Sequence, residues 1–156
     1  SKYIKEKVYI NDKVIEVLPT SQLELEDIYY QKEPISVEKL EINDTNSAYF
    51  GEVFGTRSGD KGGCANLGVW AKSDKAFSFL NDFLTVSALK ELLPDLKSYE
   101  IERFDLPNIK SLNFYIHGIL QDGVSSNNKK DSQAKSLGEY LRAKIIDMPV
   151  EILKEN

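Results

Sequence analysis

Gly55-Thr-Arg-Ser-Gly-Asp-Lys-Gly-Gly-Cys-Ala-Asn66 packs four glycines, two cations, an aspartate, a serine and an asparagine into one short stretch. It lies between two segments of strand character, residues 48–55 and 66–72. Read for its polarity, it is a long glycine-rich loop joining two strands. Glycine reaches φ > 0 and leaves bare N–H groups that a ligand can approach closely. With Arg57 and Lys61 flanking Ser58-Gly59-Asp60, the stretch is a candidate anion cradle of the backbone-nest kind. It is not a P-loop, because the glycine-lysine pair opening a helix is absent.

Downstream, Asp74 is placed to cap a helix carrying Phe77, Leu80, Phe83 and Leu84 at helical spacing. A second helical run with Val86, Leu89, Leu92 and Leu93 ends at Pro94. Residues 98–106 alternate as a strand, Pro107-Asn108 make a turn, and residues 111–120 form a long apolar-rich strand. A polar loop over 121–131 leads to an amphipathic helix over 132–146, with Leu137, Tyr140, Leu141 and Ile145 on neighbouring turns. Residues 149–153 read as a closing strand. Upstream, residues 2–10 and 13–18 alternate about Asn11-Asp12 and predict a hairpin. Residues 23–30 predict a helical turn or two, 34–40 an extended segment, and 43–47 a polar linker. Tyr29-Tyr30 are expected to serve packing or an interface. The predicted organisation is therefore a hairpin and extended segment over 1–46 and a domain over 47–153. The order of elements predicts an α+β fold, a largely antiparallel sheet with helices on one face.

The chain has 156 residues, 41% hydrophobic and 29% charged, with a net charge of −5. That length suits one cored domain, and the negative charge argues against nucleic acid and acidic membranes as partners. No run of 18 apolar residues is present, so no membrane-spanning helix is expected. The first residues lack the apolar stretch of a secretory signal. One cysteine, Cys64, builds no disulfide framework, and a single histidine, His117, leaves a structural zinc site without ligands. These features together predict a cytoplasmic location, with no metal and no assigned cofactor.

Four motifs in order carry a family resemblance: Arg57-Ser-Gly-Asp-Lys-Gly62, Ala65-Asn-Leu-Gly-Val69, Glu102-Arg-Phe-Asp-Leu-Pro107 and Leu112-Asn-Phe114. The chain from about residue 48 to 153 resembles the C-terminal domain of AtuA-type, acyclic terpene utilization proteins. The resemblance implies a ferredoxin-like fold. Larger members carry a longer preceding domain, so the resemblance implies a stand-alone or split small subunit or an excised domain. Where the family tends to have Gln-Gly-Lys, this chain reads Gln133-Ala-Lys135.

The candidate substrate-binding residues are Arg57, Ser58, Gly59, Lys61, Gly62, Asn66 and Asn113. Arg57 and Lys61 would hold a phosphate or carboxylate; alternatively, Arg57 pairs with Asp60 and fixes the shape of the loop. Asp60 and His117 are the candidate catalytic groups. Asp60 as a base needs a raised pKa, which neighbouring cations oppose, so an orienting role is the alternative. Asn113, Tyr115 and His117 are expected on one face of their strand, opposite Leu112, Phe114 and Ile116. That row would line the ligand site or else face water or a partner chain. Asn66 would donate to a ligand or cap the loop. Cys64 is read as a small buried filler, since no dedicated base stands beside it. Arg103 is read as an ion pair across the sheet, and Trp70 as core.

Two functions of different class follow. In the first, the chain is a small subunit or domain of an AtuA-like enzyme, binding an anionic acyl-CoA or carboxylate substrate. The lyase or hydratase chemistry on an acyl thioester would be shared with a larger AtuA-type subunit. In the second, it is a non-catalytic assembly module whose loop is structural and whose sheet edge or hairpin binds a partner, a second copy included.

Overall fold

The computed structural model describes residues 6–17, 42–126, 128 and 130–155. The chain divides into two compact units, Ser1–Pro34 and Ile35–Asn156. In the first unit, β1 (Glu6–Ile10) and β2 (Lys13–Val17) pair antiparallel, Ile10 opposite Lys13. Asn11 turns the chain at φ 52, a conformation its short polar side chain tolerates. The hairpin predicted about Asn11-Asp12 is present. The expectations for residues 23–30 and 34–40, Tyr29-Tyr30 among them, lie outside the described residues.

The second unit opens with β3 (Thr45–Tyr49) and a short helix α1 (Phe50–Val53). Next come β4 (Gly55–Lys61), β5 (Cys64–Trp70), α2 (Asp74–Phe83) and α3 (Val86–Leu92). They are followed by β6 (Ile101–Leu106), β7 (Ser111–Ile116), α4 (Leu137–Arg142), β8 (Ile145–Pro149) and α5 (Val150–Lys154). The main sheet has the order β4-β5-β7-β6, with every neighbouring pair antiparallel. Strands β5 and β6 thus run parallel with β7 between them, joined by α2 and α3 as a split βαβ unit. The fold is α+β and ferredoxin-like. The last strand, β8, does not join this sheet; it pairs with β3 in a separate ribbon, and β4 takes the edge beside β5.

Ala65, Leu67 and Val69 of β5 and Leu112, Phe114 and Ile116 of β7 are buried, while the residues between them are not. They share one core with Phe77, Leu80, Leu84 and Leu89 of the helical layer. Each such Leu, Ile or Phe contributes about 1.5–3 kcal/mol by leaving water. Phe50, Phe54, Phe79 and Phe83 form a ladder of rings with centroids 4.8, 6.3 and 5.2 Å apart, joining α1 to α2. Arg103 ties β6 to the helices: it donates to the Leu84 carbonyl (3.1 Å) and to Asn81 Oδ1 (2.5 Å). Its acidic partner, Asp105 at 2.7 Å, is on its own strand, so the pair expected across the sheet forms along β6.

Several sequence expectations are corrected. The predicted long loop is a β-hairpin: β4 and β5 pair from Gly55–Trp70 to Lys61–Cys64, and only Gly62-Gly63 turn. Gly62 has φ +64, the requirement at the first central position of a type II′ turn. The strand predicted over 48–55 is interrupted, because Phe50, Val53 and Phe54 are buried at i, i+3 and i+4. Residues 45–47, read as linker, belong to β3. Ser73, not Asp74, caps α2, its hydroxyl accepting from Ala76 N at 3.2 Å. The helix expected over 132–146 shrinks to α4. Ala134 at φ 52 breaks it on one side, and Ile146 and Met148 alternate inward as a strand on the other. Residues 150–153, read as strand, form α5. β7 ends at Ile116, so His117 begins a turn instead of continuing the strand.

The turn glycines differ in what surrounds them. A Cβ at Gly63 would lie 2.2 Å from the Gln121 carbonyl oxygen, whereas one at Gly59 meets only Asn66 Oδ1 at 4.0 Å. Gly63→Ala is expected to lower stability by about 1–3 kcal/mol, the cost of overpacking against backbone. Gly59→Ala is expected to change it by less than about 1 kcal/mol. Urea denaturation of both variants checks the contrast.

Candidate functional site

The two-residue turn fixes which residues of the Arg57–Gly62 motif share a face. Thr56, Ser58 and Asp60 lie opposite Val69, Leu67 and Ala65, on the side covered by helices. Arg57, Gly59 and Lys61 lie opposite Gly68, Asn66 and Cys64, on the side that no described helix of this unit covers, hereafter the uncovered side. Arg57 and Asp60 therefore point away from each other, and the intraloop pair between them does not form. Lys61 turns its ammonium to the Asp60 carbonyl at 3.0 Å.

On the covered side, Ser58 joins β4 to the start of α4. Its hydroxyl donates to the Lys135 carbonyl (3.1 Å) and accepts from Gly138 N (3.0 Å). Gly138 is needed there, because a Cβ would lie 2.8 Å from Thr56 Oγ1. Asp131 shapes the same turn, accepting from Lys135 N at 2.9 Å and from Ser136 N at 2.8 Å. An open cavity of about 300 Å³ wraps round the β4 edge at this junction. Its walls are Thr56, Arg57 and Ser58 of β4, Trp70 of β5, and Lys135, Gly138 and Glu139. Among the described residues, neither the Arg57 guanidinium nor the Lys135 ammonium has an ion-pair partner. Glu139, the one carboxylate on the wall, reaches Arg142 at 3.6 Å. Thr56 Oγ1 is buried without a hydrogen-bond partner, an uncommon state for a polar atom.

Residues 49–147, well over half of the chain, match the family of the AtuA ferredoxin-like domain. The chain belongs to that family. No curated protein and no solved structure was found to match it.

The uncovered sheet face of this AtuA ferredoxin-like domain carries the rest of the motif residues. Asn66 Nδ2 donates to Asn113 Oδ1 at 3.3 Å across β5 and β7. Asn113 and Tyr115 alternate outward from Leu112, Phe114 and Ile116 as expected. At the end of β7, His117 Nε2 lies 2.6 Å from Glu102 Oε1, and the rings of Tyr115 and His117 meet edge to face at 4.9 Å. His117 is on this face and Asp60 on the other, so the two candidate catalytic groups are not brought together. Cys64 is half-buried on the uncovered face instead of a core filler, and its Sγ accepts from Gly118 N at 3.4 Å. Trp70 is 41% exposed instead of core. Its indole lies over Gly55, where a Cβ would come within 2.2 Å of Cε2.

Arg57 and Ser58 thus belong to the edge cavity, Gly59, Lys61, Asn66 and Asn113 to the uncovered face, and Gly62 to the turn. Sequence reasoning passed over Lys135, Gly138 and Trp70 as cavity residues. A glycine inside a helical pattern was the available signal for Gly138, since it marks a tight packing contact, here with the Thr56 side chain. No group of three or more His, Cys, Asp or Glu among the described residues is placed to hold a metal ion. No helix among them is long and apolar enough to cross a membrane.

The Tyr115 phenol titrates above its ordinary range, chiefly through its hydrogen bond with Cys64, then through burial and the charges of Cys64 and Glu102. A phenol raised in the folded state contributes stability that is present below the ordinary phenol pKa. That contribution is lost as pH rises through the raised value. Cys64→Ala is expected to bring the Tyr115 transition down toward the ordinary range. Titration of ¹³Cζ-labelled tyrosine in the variant and parent reads the shift.

Proposed function

We propose that this domain binds the anionic group of an acyl-CoA or carboxylate substrate in the cavity at the β4 edge. Arg57 supplies a planar fork for two oxygens of a phosphate or carboxylate, and Lys135 a mobile point charge. The observation that carries the reading is the Ser58 junction. It draws two segments 77 residues apart into one wall and leaves both their cations without an ion-pair partner among the described residues. The cavity volume admits the charged end of a ligand and not a whole CoA, so the acyl portion would extend outside it. The domain would then act as the small subunit or anion-holding module of an AtuA-like enzyme. Lyase or hydratase chemistry on the thioester would draw on groups of a larger AtuA-type partner.

Isothermal calorimetry with a CoA thioester, free phosphate and a short carboxylate tests this. Arg57→Ala is expected to weaken binding at least about tenfold, the loss of a charge-assisted hydrogen bond of about 1.5–3 kcal/mol. Lys135→Ala is expected to weaken it less, as a point charge on a flexible stem. Absence of heat with every anion, or equal heats from parent and Arg57→Ala, would rule the reading out.

A further inference from the structure

The face of the main sheet that no described helix of this unit covers is uneven in shape and in charge. Along β6, Glu102, Phe104 and Leu106 point outward, opposite Tyr115, Asn113 and Ser111 of β7. Phe104 is 47% and Leu106 41% exposed. Glu100 precedes them in the same alternation, and its carbonyl accepts from His117 N. Along β4, the outward residues are Lys61, Gly59, Arg57 and Gly55. Gly59, with Gly68 of β5 beside it, leaves this half low. A Cβ at Gly68 would meet only the Arg57 carbonyl oxygen, at 3.6 Å. One half of the face therefore carries apolar knobs and carboxylates, and the other a low floor at Gly59 and Gly68, two cations and the Trp70 indole over Gly55.

We propose that this face is a two-fold interface for a second copy of the same chain. A closed dimer needs a surface complementary to itself, so that if residue i meets residue j, then j meets i. A two-fold axis parallel to the strands, midway between β5 and β7, lays β4 of one copy over β6 of the other. Sheets pack face to face with nearly aligned strands, which this axis gives. Reading along the strands, Lys61 then meets Glu100 of the second copy, Gly59 meets Glu102, and Arg57 meets Phe104. Leu106 meets the Gly55 position with its overlying Trp70. Opposite charges fall together, the guanidinium lies against an aromatic ring, Phe104 enters the low half beside Gly68, and Leu106 packs on the Trp70 indole.

Four strands about 4.8 Å apart and six residues long give a flat footprint of only about 400 Å² per copy. That is small for a specific interface, so the dimer is expected to be micromolar and reversible. The proposal does not rest on the anion reading. Dimerisation is read by mass, and ligand binding by heat.

Sedimentation velocity of the full chain from low micromolar to submillimolar concentration tests it. The parent is expected to pass from monomer to dimer over this range. Phe104→Glu is expected to stay monomeric while its amide NMR spectrum remains that of a folded protein. Lys61→Glu and Glu100→Lys are each expected to weaken the dimer at least about tenfold by setting like charges face to face. Their combination is expected to restore it, because swapped charges pair again across the axis. A parent that is monomeric throughout overturns the proposal. A dimer indifferent to Phe104→Glu, or a double swap no better than the single ones, overturns it as well.

Discussion

The two-residue turn at Gly62-Gly63 is the constraint on which the rest of this structure depends. Strand side chains alternate with a period of two, so the length of the turn decides which residues of Arg57–Lys61 face the helices and which do not. With Lys61 paired to Cys64, Ser58 and Asp60 go one way and Arg57, Gly59 and Lys61 the other. A turn one residue longer in β4 would bring Arg57 to the core side and leave Ser58 without α4. Gly62 makes the turn possible through its positive φ, and Gly63 allows it to seat against the Gln121 carbonyl.

From that register the two candidate surfaces separate. Ser58 reaches the α4 entry, and its hydroxyl, both donor and acceptor, fixes Lys135 and Gly138 against the edge strand. The edge cavity follows from this contact together with the absence of a side chain at Gly138. The uncovered face follows from the same alternation, because each outward residue of β4 and β6 has its opposite number in the central strands. Arg57 stands where the two surfaces meet. The anion reading centres on it because it has no ion-pair partner among the described residues and shares the cavity wall with a second cation, Lys135.

The sequence made the periodic elements legible and the irregular ones not. The alternation of Leu112, Phe114 and Ile116 and the helical spacing of Phe77, Leu80 and Leu84 announced β7 and α2, because burial imposes those periods directly. The motif order announced the family. β4 does not read as a strand, since it carries no apolar residue at all; its inward positions are Thr56, Ser58 and Asp60, small or polar groups at the edge of the sheet. Polarity alone suggests a loop, and that link is only a correlation. The Ser58–Gly138 contact was illegible for a different reason: it joins positions 80 residues apart through one hydroxyl, and no local pattern encodes it. Trp70 misled because its partner is an absent side chain at Gly55, which composition does not reveal.

The central claim is that the Arg57 and Lys135 segments form one binding wall through Ser58. Amide chemical-shift mapping of the ¹⁵N-labelled protein during titration with a CoA thioester tests it most directly. The account predicts that the amides of Thr56, Arg57 and Ser58 move together with those of Lys135, Ser136 and Gly138, all following one saturation curve. Shifts confined to the Gly62-Gly63 turn, or movement of one segment without the other, would contradict it.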